Sequence, residues 1–248
     1  MTTAPRVPSD LDDGYFLVPD LVPPDRCAVL AERLSAYARA ERALPPGVSR
    51  QREPELERSG RRRPDGSDIR KISGLYSDDL FRALIGSPEV ADRMRQLMGP
   101  GLRLFRADAL MKPAGVGSQK GAHQDSPYWP IAPMSLWSCW VPFDDATPEN
   151  GCMMVVPGSQ NGGARPHQVI QDDYVIPPQA YDEAALRTVP MRRGTGLFFH
   201  SLLIHQTAPN TSGNPRRAIT MSYLAGQHRY VGSPPEPEYP AIGNDRNS

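Results

Sequence analysis

The second half of the chain most constrains its fold. From Leu102 onward, "LRLFRADALM", "SLWSCWVPF", "GCMMVVPGS", "TGLFFHSLLIHQ" and "RRAITMSYL" are short, aromatic or β-branched, and bounded by Gly, Pro and Asn. Segments of that length and make-up, punctuated so often, form a series of antiparallel strands. Helix-period segments precede them. "PPDRCAVLAERLSAYARAE" places Cys27, Leu30, Leu34 and Tyr37 on one helical face, with Asp25 near the positive end. "SDDLFRALIGSPEVADRMRQLMG" predicts two helices broken near Gly86-Ser87-Pro88, with Ser77 and Ser87 as caps. Helices first and strands afterwards imply a mainly β, α+β domain with helices packed on the outside of a sandwich or barrel. The 28 prolines and 21 glycines argue against a helical bundle.

A single domain is expected over residues 1–248, with its core at about 12–230. Leu44 to Asp68 has almost no apolar content. It buries little to offset the entropy of ordering a backbone, so it predicts a disordered insertion or a lid that orders over a ligand. Its basic run "SGRRRPDG" sits among acids and fits a solvated lid better than a nucleic-acid patch. Residues 231–248 predict an extended, mobile tail.

Formal net charge is zero, so no global field would draw in nucleic acid or an anionic membrane. Three widely spaced cysteines without a C-x-x-C pair suggest free thiols in a reducing cytosol. No apolar run approaches the roughly 18 residues of a membrane span, and the N-terminus lacks the pattern of a secretion signal. The expected partner is a small molecule, and the expected state a cytoplasmic monomer or weak homo-oligomer. No G-x-G-x-x-G or P-loop is present for a nucleotide.

"GAHQDSPYWP" carries the chemistry. His123 and Asp125 stand one residue apart, followed at once by Tyr128 and Trp129. An H-x-D triplet alone is weak, but "FFHSLLIHQTAPNTSGNPRRAITMSY" offers a distal His205 and, eleven residues on, Arg216. Two neutral imidazoles and one carboxylate can hold Fe(II) on one octahedral face, leaving positions open for a bidentate 2-oxo acid and O₂. An arginine supplies a forked, permanently charged partner for the far carboxylate of 2-oxoglutarate. His200 lies at opposite strand parity to His205 and is expected to pack rather than ligate. His167 and His228 are read as structural. Arg217 competes with Arg216, since adjacent strand residues face opposite ways; Arg216 is favoured. Asn150-Gly151 predicts a turn with positive φ before a buried strand. Tyr128 and Trp129 follow the triplet closely enough to be candidates for touching substrate.

Together, "LMKP", "HQDSPYWP", "ENGCMMVVPGS" and "GLFFHSLLIHQTAPNTSGNPRRA" resemble the phytanoyl-CoA dioxygenase family of Fe(II)/2-oxoglutarate oxygenases. The resemblance runs from about Asp12 to Tyr230 and is strongest between Leu110 and Leu224. It implies a double-stranded β-helix (a cupin-like jelly roll) with N-terminal helices outside it. It also implies His123, Asp125 and His205 as iron ligands and Arg216 as the 2-oxoglutarate anchor. Thr207, Lys71 in "RKISGLYSDDLF" and Trp140 in "SLWSCWVPF" fall at cosubstrate-pocket positions of that family.

The expected reaction is oxidation of an unactivated C–H, by hydroxylation, ring closure or desaturation. In relatives that halogenate the carboxylate ligand is missing, so Asp125 argues against halogenation. A zinc hydrolase could use the same three ligands, but it gives Arg216 no role and lacks a general base. A metal-free binding jelly roll would not need all three. For substrate, an acyl-CoA thioester is one possibility. The Arg-rich, short chain and its polar 44–68 segment lean instead towards a secondary metabolite, such as a sugar-containing antibiotic closed by an orthoester-type bridge.

Overall fold

In the computed structural model, residues 7–9, 11–170 and 173–243 are described. Among the described residues, fifteen strands and four α-helices follow in chain order. They are β1 (Tyr15–Val18), α1 (Pro24–Ala38), β2 (Ser49–Arg52), α2 (Pro54–Arg58), β3 (Ile69–Ser73), α3 (Asp79–Ile85), α4 (Pro88–Met98), β4 (Arg103–Lys112) and β5 (Lys120–His123). Then come β6 (Ile131–Ala132), β7 (Trp137–Pro142), β8 (Met153–Val156), β9 (Gln168–Ile170), β10 (Asp173–Val175), β11 (Arg187–Val189), β12 (Gly196–His200), β13 (Ile204–Thr207), β14 (Arg216–Leu224) and β15 (Arg229–Tyr230). A seven-stranded sheet runs β1-β12-β7-β14-β4-β3-β2, and a four-stranded sheet runs β11-β8-β13-β5. Two small ribbons, β9–β10 and β6–β15, complete the set. The architecture is mainly β with packed helices: a jelly-roll sandwich that does not close into a barrel.

Strand alternation separates two cores. On β14, Ile219, Met221 and Tyr223 point outward into an apolar cluster with the α1 residues Leu30, Leu34 and Tyr37 and the α4 residues Val90 and Met94. Between the sheets, Ala218 of β14, Trp140 of β7 and Phe199 of β12 meet Met153 and Val155 of β8. Fully burying side chains of this size contributes about 1.5–3 kcal/mol each. α1 begins as the sequence predicts, with Pro24 at its first turn and Asp25 beside it. α3 does not use Ser77. Its cap is Asp78, whose carboxylate accepts the Leu80 amide at 2.8 Å and also binds Arg33 and Tyr37. Ser87 occupies the α4 cap position but its side chain makes no capping bond.

Two segments read as mobile from the sequence make defined contacts within the described residues, and one strand assignment is corrected. The polar segment 44–68 contains β2 and α2. It is held by backbone pairing of β2 on β3, by an Arg52–Asp68 ion pair at 2.7 Å, and by buried Val48, Leu56 and Glu53. Its order comes from edge hydrogen bonds and charge pairs, which an apolar count does not register. The segment after Tyr230 is also tied down through residue 243. Ala241 bridges Arg103, Ile242 is buried, and Pro240 accepts the Leu104 amide at 2.8 Å. Finally, "TGLFFHSLLIHQ" is two strands. The chain turns at Ser201–Leu203 and crosses from the large sheet to the small one, so His200 and His205 belong to different sheets.

Candidate active site

The two sheets face each other across a cavity of about 360 Å³. His123 ends β5 and His205 lies opposite it on β13, in register, with ring centroids 4.1 Å apart. Asp125 follows β5, and its Oδ1 stands 3.8 Å from His123 Nε2. One ligand atom from each of the three buried residues falls within 4.8 Å of the others. Each imidazole spends Nδ1 on a backbone carbonyl, His123 on Gly121 at 2.8 Å and His205 on Leu203 at 3.0 Å. A donated Nδ1–H leaves both Nε2 lone pairs facing the cavity, the tautomer a metal requires. Burial, and then the neighbouring His205 ring, hold the His123 imidazole well below its ordinary pKa, in the neutral form a ligand needs.

Residues beside the ligands, not singled out from the sequence, clamp this geometry. Gln124 is fully buried between them. Its amide NH₂ donates to Gly163 O and Leu202 O, and its carbonyl accepts the Arg165 amide at 2.7 Å. The Asp125 and Ser126 amides both donate to Ser201 O, and the Ser126 and Ser201 hydroxyls meet at 2.6 Å. His167, read as structural, accepts the Gln124 amide at Nε2 and packs edge-on against Tyr128. His200 packs against Trp137, accepts the Leu202 amide, and is pushed by burial down to about 4. His228 accepts the Ala225 amide.

At one end of the cavity lies Arg216, opposite Lys112 across the β14–β4 pairing. The residue is 2% exposed, and its guanidinium donates to Leu110 O at 2.9 Å and Gly151 O at 3.4 Å and lies 5.5 Å over the Trp140 ring. No carboxylate pairs with it among the described residues, and its Nε has no partner. Burial lowers it to about 10, which still leaves it charged at neutral pH. Arg217 points the other way, gripping Asp144 with Nε at 2.8 Å and reaching Ser35 of α1. Gly151 has φ +82°, as its turn requires, and a Cβ there would meet Ala208 O at 2.5 Å and Lys112 Cδ at 2.7 Å. The close approach lets the Lys112 stem lie along this backbone, its ammonium on Ser118 O. Burial, and next Arg216, lower the Lys112 ammonium to about 7. Glu53, buried at the β2–α2 junction, faces the same space with its carboxyl raised by burial.

The residues expected from the sequence to hold metal, cosubstrate or substrate line this one cavity: Lys71, His123, Asp125, Tyr128, Trp129, Trp140, His205, Thr207 and Arg216. Lys71 on β3 pairs with Asp108 at 3.1 Å, and Thr207 follows His205 along β13. Tyr128 stacks near Tyr174, and Trp129 lies beneath Arg106 at 5.1 Å. Glu53, Lys112 and Arg106 were missed. For the last two a signal existed: Arg106, Asp108, Leu110 and Lys112 alternate along "RADALMK", with the parity of one sheet face.

Fold and site define a class. A buried face of two histidines and one carboxylate, set in a jelly roll beside an arginine without an acidic partner, fits a ferrous ion and a keto diacid. The phytanoyl-CoA dioxygenase (PhyH) family model matches residues 11–218, and the chain belongs to this family; it is an Fe(II)- and 2-oxoglutarate-dependent dioxygenase. The human peroxisomal phytanoyl-CoA dioxygenase is 26% identical over 231 residues, covering 89% of this chain and 68% of that enzyme. L-proline trans-4-hydroxylase of Streptomyces griseoviridis is 27% identical, covering 82% of this chain and 81% of its own. Among solved structures, the α-ketoglutarate-dependent carbocyclase SnoK from nogalamycin biosynthesis superposes with a TM-score of 0.67 at 21% identity, over 94% of this chain and 93% of that one. No helix of the described residues is long and apolar enough to cross a membrane.

Proposed function

We propose that this oxygenase oxidises an unactivated C–H of a small molecule, by hydroxylation or oxidative ring closure, in secondary-metabolite biosynthesis. His123, Asp125 and His205 hold the iron, and Arg216 anchors the distal carboxylate of 2-oxoglutarate. The observation that carries this reading is the unpaired, buried Arg216 guanidinium in the same cavity as the His–Asp–His triad. A cation desolvated without a counter-charge is costly, so a site that keeps one is built for an anionic ligand. When bound, iron and 2-oxoglutarate supply the oxidising power drawn from O₂.

The chain's own residues do the rest. The carbonyls of Gly121 and Leu203 fix the imidazole tautomers, and Gln124 fixes the spacing of His123 and Asp125. Trp140 lies under the Arg216 guanidinium, and Thr207 adds a hydroxyl from the strand that carries His205. Phe199, packed on His205 at 5.1 Å, and Trp140 keep bulk water from the metal side of the cavity. Tyr128 and Trp129 form the wall on which substrate rests, holding one C–H towards the metal. SnoK supports the ring-closing variant and the proline hydroxylase the hydroxylating one. A sugar-containing antibiotic closed by an orthoester-type bridge is the narrower form, favoured by the polar 44–68 segment, which brings Gln51 and Glu53 to the cavity wall.

The test is succinate formation by protein loaded with Fe(II) under argon and then given 2-oxoglutarate and air. The parent should bind one iron per chain and release succinate. His205→Ala should lose both, and turnover at the parent rate in that variant would refute the assignment.

A further inference from the structure

The other end of the cavity from Arg216 carries a second, differently built positive site. We propose that Arg106, with Trp129 beneath it, binds an anionic group of the substrate, a carboxylate or a phosphate ester. The inference rests on the oxygenase reading of the same cavity and narrows its substrate class.

Charge placement carries it. The acidic residues on the cavity wall are Glu53, Asp125 and Asp173. Asp125 belongs to the metal triad. Asp173 accepts the Lys120 ammonium at 2.6 Å, and Glu53 lies in the field of Lys112 and Arg70. The loaded metal centre adds no net charge, because the ferrous ion and Arg216 offset Asp125 and the dianionic keto acid. Lys71 and Arg106 are left to share Asp108 just behind them. Lys71 takes it at 3.1 Å, while Arg106 Nε stands at 3.8 Å, beyond hydrogen-bond reach. The Arg106 Nε is buried with no hydrogen-bond partner, and among the described residues the guanidinium makes no hydrogen bond.

The group is nevertheless held in place. Its carbon lies 5.1 Å over the Trp129 ring, which is itself buried and packed against Phe105 at 4.8 Å. An arginine oriented on an indole, with its fork unspent and its rim open to a cavity, is preorganised for a planar or tetrahedral oxyanion. β4 places the two ends apart. Arg106 and Lys112 share one face of the strand, with Asp108 and Leu110 between them, so an anion at Arg106 and the cosubstrate beside Arg216 occupy separate stations.

The experiment uses the full chain, loaded with Fe(II) and saturating 2-oxoglutarate under argon so that Arg216 is occupied. Cyclohexanecarboxylate, cyclohexyl phosphate and cyclohexanecarboxamide are titrated by calorimetry and by tryptophan fluorescence. At least one anion should bind about tenfold more tightly than the neutral amide, and which anion leads separates a carboxylate from a phosphate substrate. Arg106→Met should erase the difference and Arg106→Lys should keep part of it. Arg82→Gln, the same charge loss on an exposed helix, should leave it intact. Equal affinities in the parent, no binding of either anion, or a preference that survives Arg106→Met would overturn the inference. The absorption band of the iron–keto-acid chelate is followed in parallel under argon, and succinate release is followed after air is admitted. Their absence, with Arg106-dependent anion preference still present, would sink the catalytic reading and leave the anion site standing.

Discussion

The large sheet turns two faces to its surroundings, and they treat charge in opposite ways. Its outer face, covered by α1, α3 and α4, is apolar, and Arg217 there is satisfied by Asp144, Ser35 and the Ala31 carbonyl. The inner face, one residue out of phase on the same strands, holds Arg216, Lys112 and Arg106 with far fewer partners. Neighbouring residues of one strand thus serve different purposes. On the outer face an arginine ties a helix to the sheet, and on the inner face an arginine is left with capacity for something that arrives.

Breaking the outer face should have the largest effect on folding. Ile219 is fully buried there, so Ile219→Ala should destabilise by about 2–5 kcal/mol, read from the midpoint of urea unfolding. Breaking the inner face at Arg216 should show in binding. Arg216→Met should raise the KM for 2-oxoglutarate about 10- to 100-fold, as loss of a charge-assisted contact predicts. The matched outer substitution sharpens the contrast. Arg217→Met should lower stability by about 1 kcal/mol and leave that KM unchanged; a shift in KM there would erase the distinction between the faces.

The smallest effect concerns pH. The Lys112 ammonium, held down to about 7 chiefly by burial and then by Arg216, gains its proton as pH falls through neutrality. It then adds positive charge beside the cosubstrate anchor, so the KM for 2-oxoglutarate should rise modestly as pH climbs through about 7, and Lys112→Met should flatten that slope. Stability moves the other way. Because the folded state binds this proton less readily than the unfolded chain, the burial penalty is full below about pH 7 and is relieved as pH rises towards the free lysine value. Lys112→Met should therefore stabilise more in mildly acidic than in alkaline buffer.

Much of this was legible in the residues. Strand parity placed Arg216 and Arg217 on opposite faces, and the pattern of His123, Asp125, His205 and Arg216 drew together residues from distant strands. α1 followed from its 3.6 period. What escaped did so for physical reasons. The β2 strand, "SRQR", carries no apolar alternation because it is an edge held by backbone bonds, and Glu53 enters the cavity only because that edge forms. The turn at Ser201–Leu203 lies inside an apolar run, so nothing in the local pattern marks a change of sheet. Gln124 looked like filler between two ligands, since its three side-chain bonds go to backbone more than thirty residues away.

The segment beyond Tyr230 has one further consequence. Tyr239 packs on Phe105 at 5.7 Å, Phe105 packs on Trp129, and Trp129 carries Arg106. The last described stretch of chain is thus a buttress for the far wall of the reaction chamber, while the iron-binding edge is braced from elsewhere. Trimming residues 236–243 should leave metal loading intact and loosen only the choice of what is oxidised, so relatives that differ in this strap could differ in diet without any change at the metal.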